Sequence, residues 1–382
     1  MRRMIRCDFF STRRYLLILA VAAVAVGITL LVARERIERV YVHLELSHCL
    51  IYLNTDARSE CAFGVIRTVL VTQGVSAAMD AFITTYRMLP AGSLGADCHN
   101  AVHRVGDMAY FNVYMNDPDL SNLAYPETTL ICGAGFFHGF FEHMIQDRPN
   151  PTYLLKVWKY FSSQPESYLK NMVTISCFHA AGHGLIRAQT ELVQRREFGN
   201  LASFVDTPVA TCNSLPGITD QQKYACITGV MSIFVQMYTS HTYGFFVSNV
   251  PDTLDPCGTF PAKLRAPCYN MRSLGLMQHG SDYMHIMRLC TELRGDEFTS
   301  CIDGMVEGVS TNGWTSQAFS TAVKICSEPE VKKREYAIQC YGDISKGIRF
   351  DYSIVDPTPR CPDLPEDYRA ACEQNQRVRT TE

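Results

Sequence analysis

The chain has 16 cysteines in 382 residues but no Cys-x-x-Cys pair. It therefore has neither the usual half of a thiolate zinc site nor a Cys-x-x-Cys-His heme attachment. There is no Gly-rich phosphate loop, no Gly-x-Ser-x-Gly elbow and no His-Glu-x-x-His motif. Their absence removes the commonest nucleotide-binding, serine-hydrolase and zincin readings. The largest group of basic residues lies at the N-terminal flank. A net charge of −3 and a pI near 6.4 argue against nucleic acid as a partner. None of the asparagines begins an Asn-x-Ser/Thr acceptor with a permitted middle residue. That favours a bacterial periplasm over a glycosylating secretory lumen.

What is present begins with an apolar run. Tyr15 to Ala33 is 19 residues without a charge, about 28 Å as a helix, enough for a hydrocarbon core. Arg2, Arg3, Arg6, Arg13 and Arg14 precede it against a lone Asp8, and a balanced set (Arg34, Glu35, Arg36, Glu38, Arg39) follows. The positive-inside rule places residues 1–14 in the cytoplasm, 15–33 across the membrane and the bulk outside it. A cleaved signal peptide would want a shorter run and a small-x-small site after it, whereas this run ends in Val-Ala-Arg-Glu-Arg. Fifteen of the cysteines follow the anchor, as expected of disulfides in an oxidising compartment.

Those cysteines are periodic. Cys49/Cys61, Cys212/Cys226, Cys257/Cys268, Cys290/Cys301, Cys326/Cys340 and Cys361/Cys372 form short-spaced pairs. The second member of most opens a segment such as Cys226-Ile-Thr-Gly229 or Cys301-Ile-Asp-Gly304. Comparable segments begin at Cys61, Cys98, Cys132 and Cys177, and glycine recurs seven residues on at Gly139, Gly184, Gly275, Gly308 and Gly347. A drifting period of roughly 30–50 residues is the mark of a helical solenoid. The expected unit is a helix pair whose first helix is headed by the cysteine. A disulfide then ties the second helix of one unit to the first helix of the next. Glycine inside a helix costs about 1 kcal/mol against alanine, so its recurrence implies close helix–helix approach. The expected fold is all-α: a disulfide-stapled helical-repeat domain, an α-solenoid or α/α ring, behind an N-terminal transmembrane helix. It spans residues 34–373, with a His-rich half at 61–200, a Cys-paired half at 201–373 and a polar tail at 374–382.

On lines such as Cys290-x10-Cys301-x2-Gly304-x3-Gly308, the arrangement resembles the Sel1-like and tetratricopeptide repeats. The resemblance is architectural: the tetratricopeptide Trp-Leu-Gly-Tyr pattern is missing and the cysteine spacing is longer than in cysteine-rich Sel1 proteins. It implies a repeat fold and, because those families mostly bind partners, a protein or peptide partner; it assigns no functional residue.

Six of the eleven histidines lie between 99 and 183. Cys98-His99-Asn-Ala-Val-His103, His138-Gly-Phe-Phe-Glu142 and His179-Ala-Ala-Gly-His183 each place two donors four residues apart, on one helix face. Counted from each heading cysteine at about 100° per residue, His99, His103, Asp107, His138, Glu142, His179 and His183 all fall away from it. His143 falls on the cysteine side and is left outside the set. The same phase directs Cys98, Cys132 and Cys177 to packing or to disulfides among themselves, with at least one thiol left over.

Five imidazoles and two carboxylates suit a divalent transition metal (zinc, iron or manganese), as one ion or two. Glu142 is a ligand or a general base. The reading is a metal-dependent oxidoreductase or hydrolase, with a membrane-tethered scaffold carrying structural histidines as the alternative. Separation of His103, His138 and His183 by more than about 12 Å would rule out one shared site, since metal–ligand bonds are near 2 Å. Asp303 and Glu307, which repeat the His179/His183 spacing, read as a solvated face, and Phe136, Phe137, Phe140 and Phe141 as core.

Overall fold

A computed structural model of the chain describes residues 40–373 apart from 53, 89–93, 95–97, 116–125, 150–154, 157–158, 161–162, 164–167, 193–200, 240–252, 279, 311–315, 351–360 and 371–372. The expected anchor at 15–33, the cytoplasmic segment 1–14, Cys372 and the polar tail lie outside the described residues. Among the described residues no helix is long and apolar enough to cross a membrane, and none is in a strand. The chain divides at Val65/Ile66 into two units. The first is described from a helix at 40–49, whose end is bridged by Cys49–Cys61.

The helices in chain order are α1 (Thr55–Gln73), α2 (Val75–Met88), α3 (Cys98–Ala109, running into a π-helical turn at Tyr110–Tyr114), α4 (Ile131–Asp147) and α5 (Tyr168–Leu192). There follow α6 (Leu201–Ser214), α7 (Asp220–Thr239), α8 (Ala262–Gln278), α9 (Tyr283–Thr291), α10 (Asp296–Ser310), α11 (Ser316–Ser327), α12 (Pro329–Lys333) and α13 (Ala337–Phe350). Several starts are written in the sequence. Thr219 and Gln222 form a reciprocal capping box before α7, and Asp282 accepts from the Met284 amide at the start of α9.

The glycine-bearing helices form a row in which α3 packs on α4, α4 on α5, α5 on α7, α7 on α8 and α8 on α10. The second helices α6, α9 and α11 lie against this row. Glycine sets the spacing. A Cβ at Gly135 would sit 2.5 Å from the His99 carbonyl, and one at Gly184 would sit 2.5 Å from that of Glu142. Cβ atoms at Gly139, Gly229 and Gly304 would collide with the carbonyls of His103, His179 and Asn270. These are backbone atoms on both sides, so no side chain can move aside. Gly275, by contrast, faces open space; its place in the repeat has no packing role.

Disulfides close the helix pairs as the spacing implies: Cys212–Cys226 (α6–α7), Cys290–Cys301 (α9–α10) and Cys326–Cys340 (α11–α13), with Cys257–Cys268 tying a short 3₁₀ turn to α8. A loop of this size contributes up to about 3 kcal/mol by restricting the unfolded chain. Cys98–Cys132 joins α3 to α4, Cys361 is bridged, and Cys177 is a buried free thiol. One expectation needs correction. The cysteine heads its helix only at Cys98 and, nearly, at Cys132. The helices carrying Cys177, Cys226, Cys268, Cys301 and Cys340 begin upstream of it. A bridge of 5.4–5.8 Å between Cα atoms back to the preceding helix leaves the residues between for the connection and the capped first turn.

The core runs along the row. Phe136, Phe137, Phe140 and Phe141 are fully buried, each contributing roughly 1.5–3 kcal/mol, and stack pairwise along α4. They brace the helix that carries the central donors of the site.

Candidate metal centre

All seven residues singled out in the sequence come from three successive helices of the row: His99, His103 and Asp107 from α3, His138 and Glu142 from α4, His179 and His183 from α5. The close approach at Gly135, Gly139 and Gly184 brings these faces together. Ligand atoms of His103, Glu142 and His183 all lie within 4.8 Å of one another. The His138 ring is centred 4.8 Å from His99, 4.9 Å from His179 and 5.4 Å from His183, and His179 and His183 are 4.7 Å apart. All are far inside the 12 Å limit for one shared pocket.

Glu142 is the hub. It is 1 % exposed, with Oε2 accepting from His183 Nδ1 at 2.9 Å and lying 3.3 Å from His103 Nε2, while Oε1 meets Arg187 Nε at 2.5 Å. Burial alone would raise its pKa. The hydrogen bonds from His103 and His183 and the nearby positive charge overcome that and hold the carboxyl far below the ordinary carboxylate range. His103 has carboxylates on both sides, Glu142 at Nε2 and Asp107 Oδ1 3.4 Å from Nδ1. Burial opposes its charge, but the two acids prevail and raise it to about 9. Asp107 is lowered in turn: burial works against it, but His103 and His143 outweigh burial.

Burial above all depresses His138, His179 and His183 and holds these three rings neutral, although Glu142 pulls His179 and His183 the other way. Their tautomers follow from the partners. His99 Nδ1 lies 2.9 Å from the Cys132 carbonyl, which can only accept, so the proton is on Nδ1 and Nε2 keeps its lone pair. His138 Nδ1, 3.1 Å from that Nε2, is then the donor. Thr228 spends its hydroxyl proton on the Ala225 carbonyl and so accepts from His179 Nδ1 at 3.0 Å. His183 Nδ1 donates to Glu142. Each of His138, His179 and His183 is left with Nδ1 protonated and a lone pair on Nε2. That is the tautomer pattern of metal-binding imidazoles, whose second nitrogen is fixed by an outer partner. His183 Nε2 is buried and has no hydrogen-bond partner, although buried polar atoms are rarely left so.

Three participants escaped the sequence reading. Thr228 stands two residues after Cys226, the place His179 holds after Cys177, and Arg187 lies four after His183 on the same face. Both spacings were available as signals. His143, expected outside the site, has its Nε2 3.3 Å from Asp107 Oδ1. His143 stands about 100° round the helix from Glu142, which still lets it reach Asp107 on the neighbouring α3; α4 itself opens with Cys132, Gly133 and Ala134 in the left-handed region (φ 56°, 66° and 56°). Such a turn costs about 1–2 kcal/mol at each non-glycine residue. It is held by the Cys98 bridge and by the His99 contact to the Cys132 carbonyl.

No family model, curated protein or solved structure matches the chain. The reading of the site therefore rests on its own geometry.

Proposed function

We propose that the chain is a membrane-anchored, extracytoplasmic metalloprotein whose stacked helices form an α-solenoid carrying a His/carboxylate centre for zinc, iron or manganese. The observation that carries the reading is the buried, partnerless His183 Nε2 beside a buried carboxylate and His103. His103, Glu142 and His183 supply two nitrogens and one oxygen, a donor set these metals accept. A three-residue set leaves a coordination position open, and the group is exposed on one side, where His103, Asp107 and Arg187 are partly accessible.

When bound, such an ion supplies Lewis acidity and an activated oxygen ligand, the chemistry of hydrolases and of metal-dependent oxidoreductases. Glu142, held ionised by His103, His183 and Arg187, is a weak base and acts here as ligand and charge anchor. His103 carries a proton that an incoming cation displaces, so metal uptake releases protons. Arg187 orients Glu142 and presents positive charge at the accessible side.

Elemental analysis of the purified full chain beside a His103→Ala/His183→Ala variant tests the proposal. Stoichiometric metal in the native chain and none in the variant supports it. No metal in either overturns it and leaves the histidines as a structural network in a tethered scaffold for a protein or peptide.

A further inference from the structure

We infer that the pocket holds a second cation beside the first, bound through the Nε2 atoms of His138 and His179. The inference rests on the metal-centre reading above and adds to it a position that His103, Glu142 and His183 do not account for.

Three observations converge on it. First, His138 and His179 are not among the three residues whose ligand atoms cluster, yet both stand half-buried on the packed helices α4 and α5, with their rings against His183. Second, both have their Nδ1 proton committed, His138 to His99 and His179 to Thr228. Each imidazole therefore has a fixed tautomer and carries a lone pair on Nε2. A metal needs them so, with the opposite nitrogen anchored. Third, the two rings stack with centroids 4.9 Å apart, and they lie 5.4 and 4.7 Å from the His183 ring. These distances are short enough for an ion at the roughly 3.5–4 Å separation that two-metal centres use.

The outer shell is specific as well. Thr228 comes from α7, the next helix of the row, and is oriented by its own bond to the Ala225 carbonyl. The second position is thus completed by a fourth helix that contributes nothing to the first. His99 reaches His138 from α3 and is itself fixed by the left-handed turn at Cys132. The strained turn acquires a use: it presents a carbonyl where the histidine relay begins.

The test is metal stoichiometry in the full chain loaded with Zn²⁺ or Mn²⁺, read by native mass spectrometry and elemental analysis. Two variants accompany it: His138→Asn/His179→Asn, and Thr228→Val as one that leaves every donor in place. The expected result is two equivalents in the native chain, one in the double variant, and a roughly 10–100-fold weaker second equivalent in Thr228→Val, the usual cost of losing an outer partner. One equivalent in the native chain overturns the second position and leaves the first intact. Two equivalents retained by the double variant overturn the assignment to these residues. No metal at all overturns both readings.

Discussion

At the α3–α4 contact Gly135 and Gly139 face the carbonyls of His99 and His103, and at the α8–α10 contact Gly304 and Gly308 face those of Asn270 and Leu274. The backbone solution is the same, and the polar groups beside it are settled differently. Around α8 and α10, Asn270 donates to the Ser300 carbonyl, Ser273 reaches the Cys301 carbonyl, Tyr224 pairs with Ser300 and Tyr336 donates to Asp303. The buried polar atoms there are spent on holding helices together. Around α3, α4 and α5 the hydrogen bonds do not use up every buried donor and acceptor, and His183 Nε2 is among the atoms left over. A satisfied network is structure. A network that anchors one nitrogen of a ring and leaves the other over is what the proposed metal centre requires.

The largest loss is expected where the hub of the histidine network is removed. Glu142→Gln leaves Arg187 without this anion and His103 with Asp107 alone, and breaking a buried ion pair costs about 3–5 kcal/mol, toward the lower end here because Arg187 is partly exposed. Chemical denaturation should show that loss together with loss of bound metal. Asp303→Asn at the other end should cost far less and leave metal content unchanged.

Glycine comes next. Gly139→Ala and Gly304→Ala should each lose about 1–3 kcal/mol through overpacking against backbone, read as a lower thermal midpoint, but only Gly139→Ala should also weaken metal binding. Gly275→Ala should be neutral or gain up to about 1 kcal/mol from helix propensity. Equal losses at Gly275 and Gly304 would break the claim that the row is spaced by glycine contact.

The pH dependence separates the two kinds of histidine. His138, His179 and His183 have folded pKa values below the ordinary value of about 6.5. As pH falls below that, the unfolded chain binds more protons, and stability drops. His103 is raised to about 9; its contribution is full below pH 6.5 and is lost as pH rises toward 9. Chelator-treated protein should therefore be most stable near pH 6.5. His103→Gln should flatten the alkaline limb alone, as followed by thermal denaturation across pH 5–9. The smallest effect expected is that of Tyr336→Phe, about 1 kcal/mol for a hydrogen bond, with metal content unchanged.

Much of this was legible because it is local. Cysteines 11 to 14 residues apart announce a bridge across one helical hairpin, and donors four residues apart announce a shared face whatever the tertiary fold. The recurring glycines announce close contact, though Gly275 shows that recurrence alone does not establish it. What escaped was set by partners distant in sequence or by unusual backbone. Thr228 matters only because α7 packs on α5. Arg187 matters only because Glu142 lies across the helix contact. The left-handed turn at Cys132, Gly133 and Ala134 escaped as well. No periodicity marks such a turn.

In the proposed centre histidines and a carboxylate, not cysteines, hold the metal. X-ray absorption at the edge of the metal bound by the full chain tests it most directly. The predicted first shell is nitrogen and oxygen alone at about 2.0–2.2 Å, with the outer scattering of imidazole rings. A sulfur shell near 2.3 Å, or a first shell without imidazole, would contradict it.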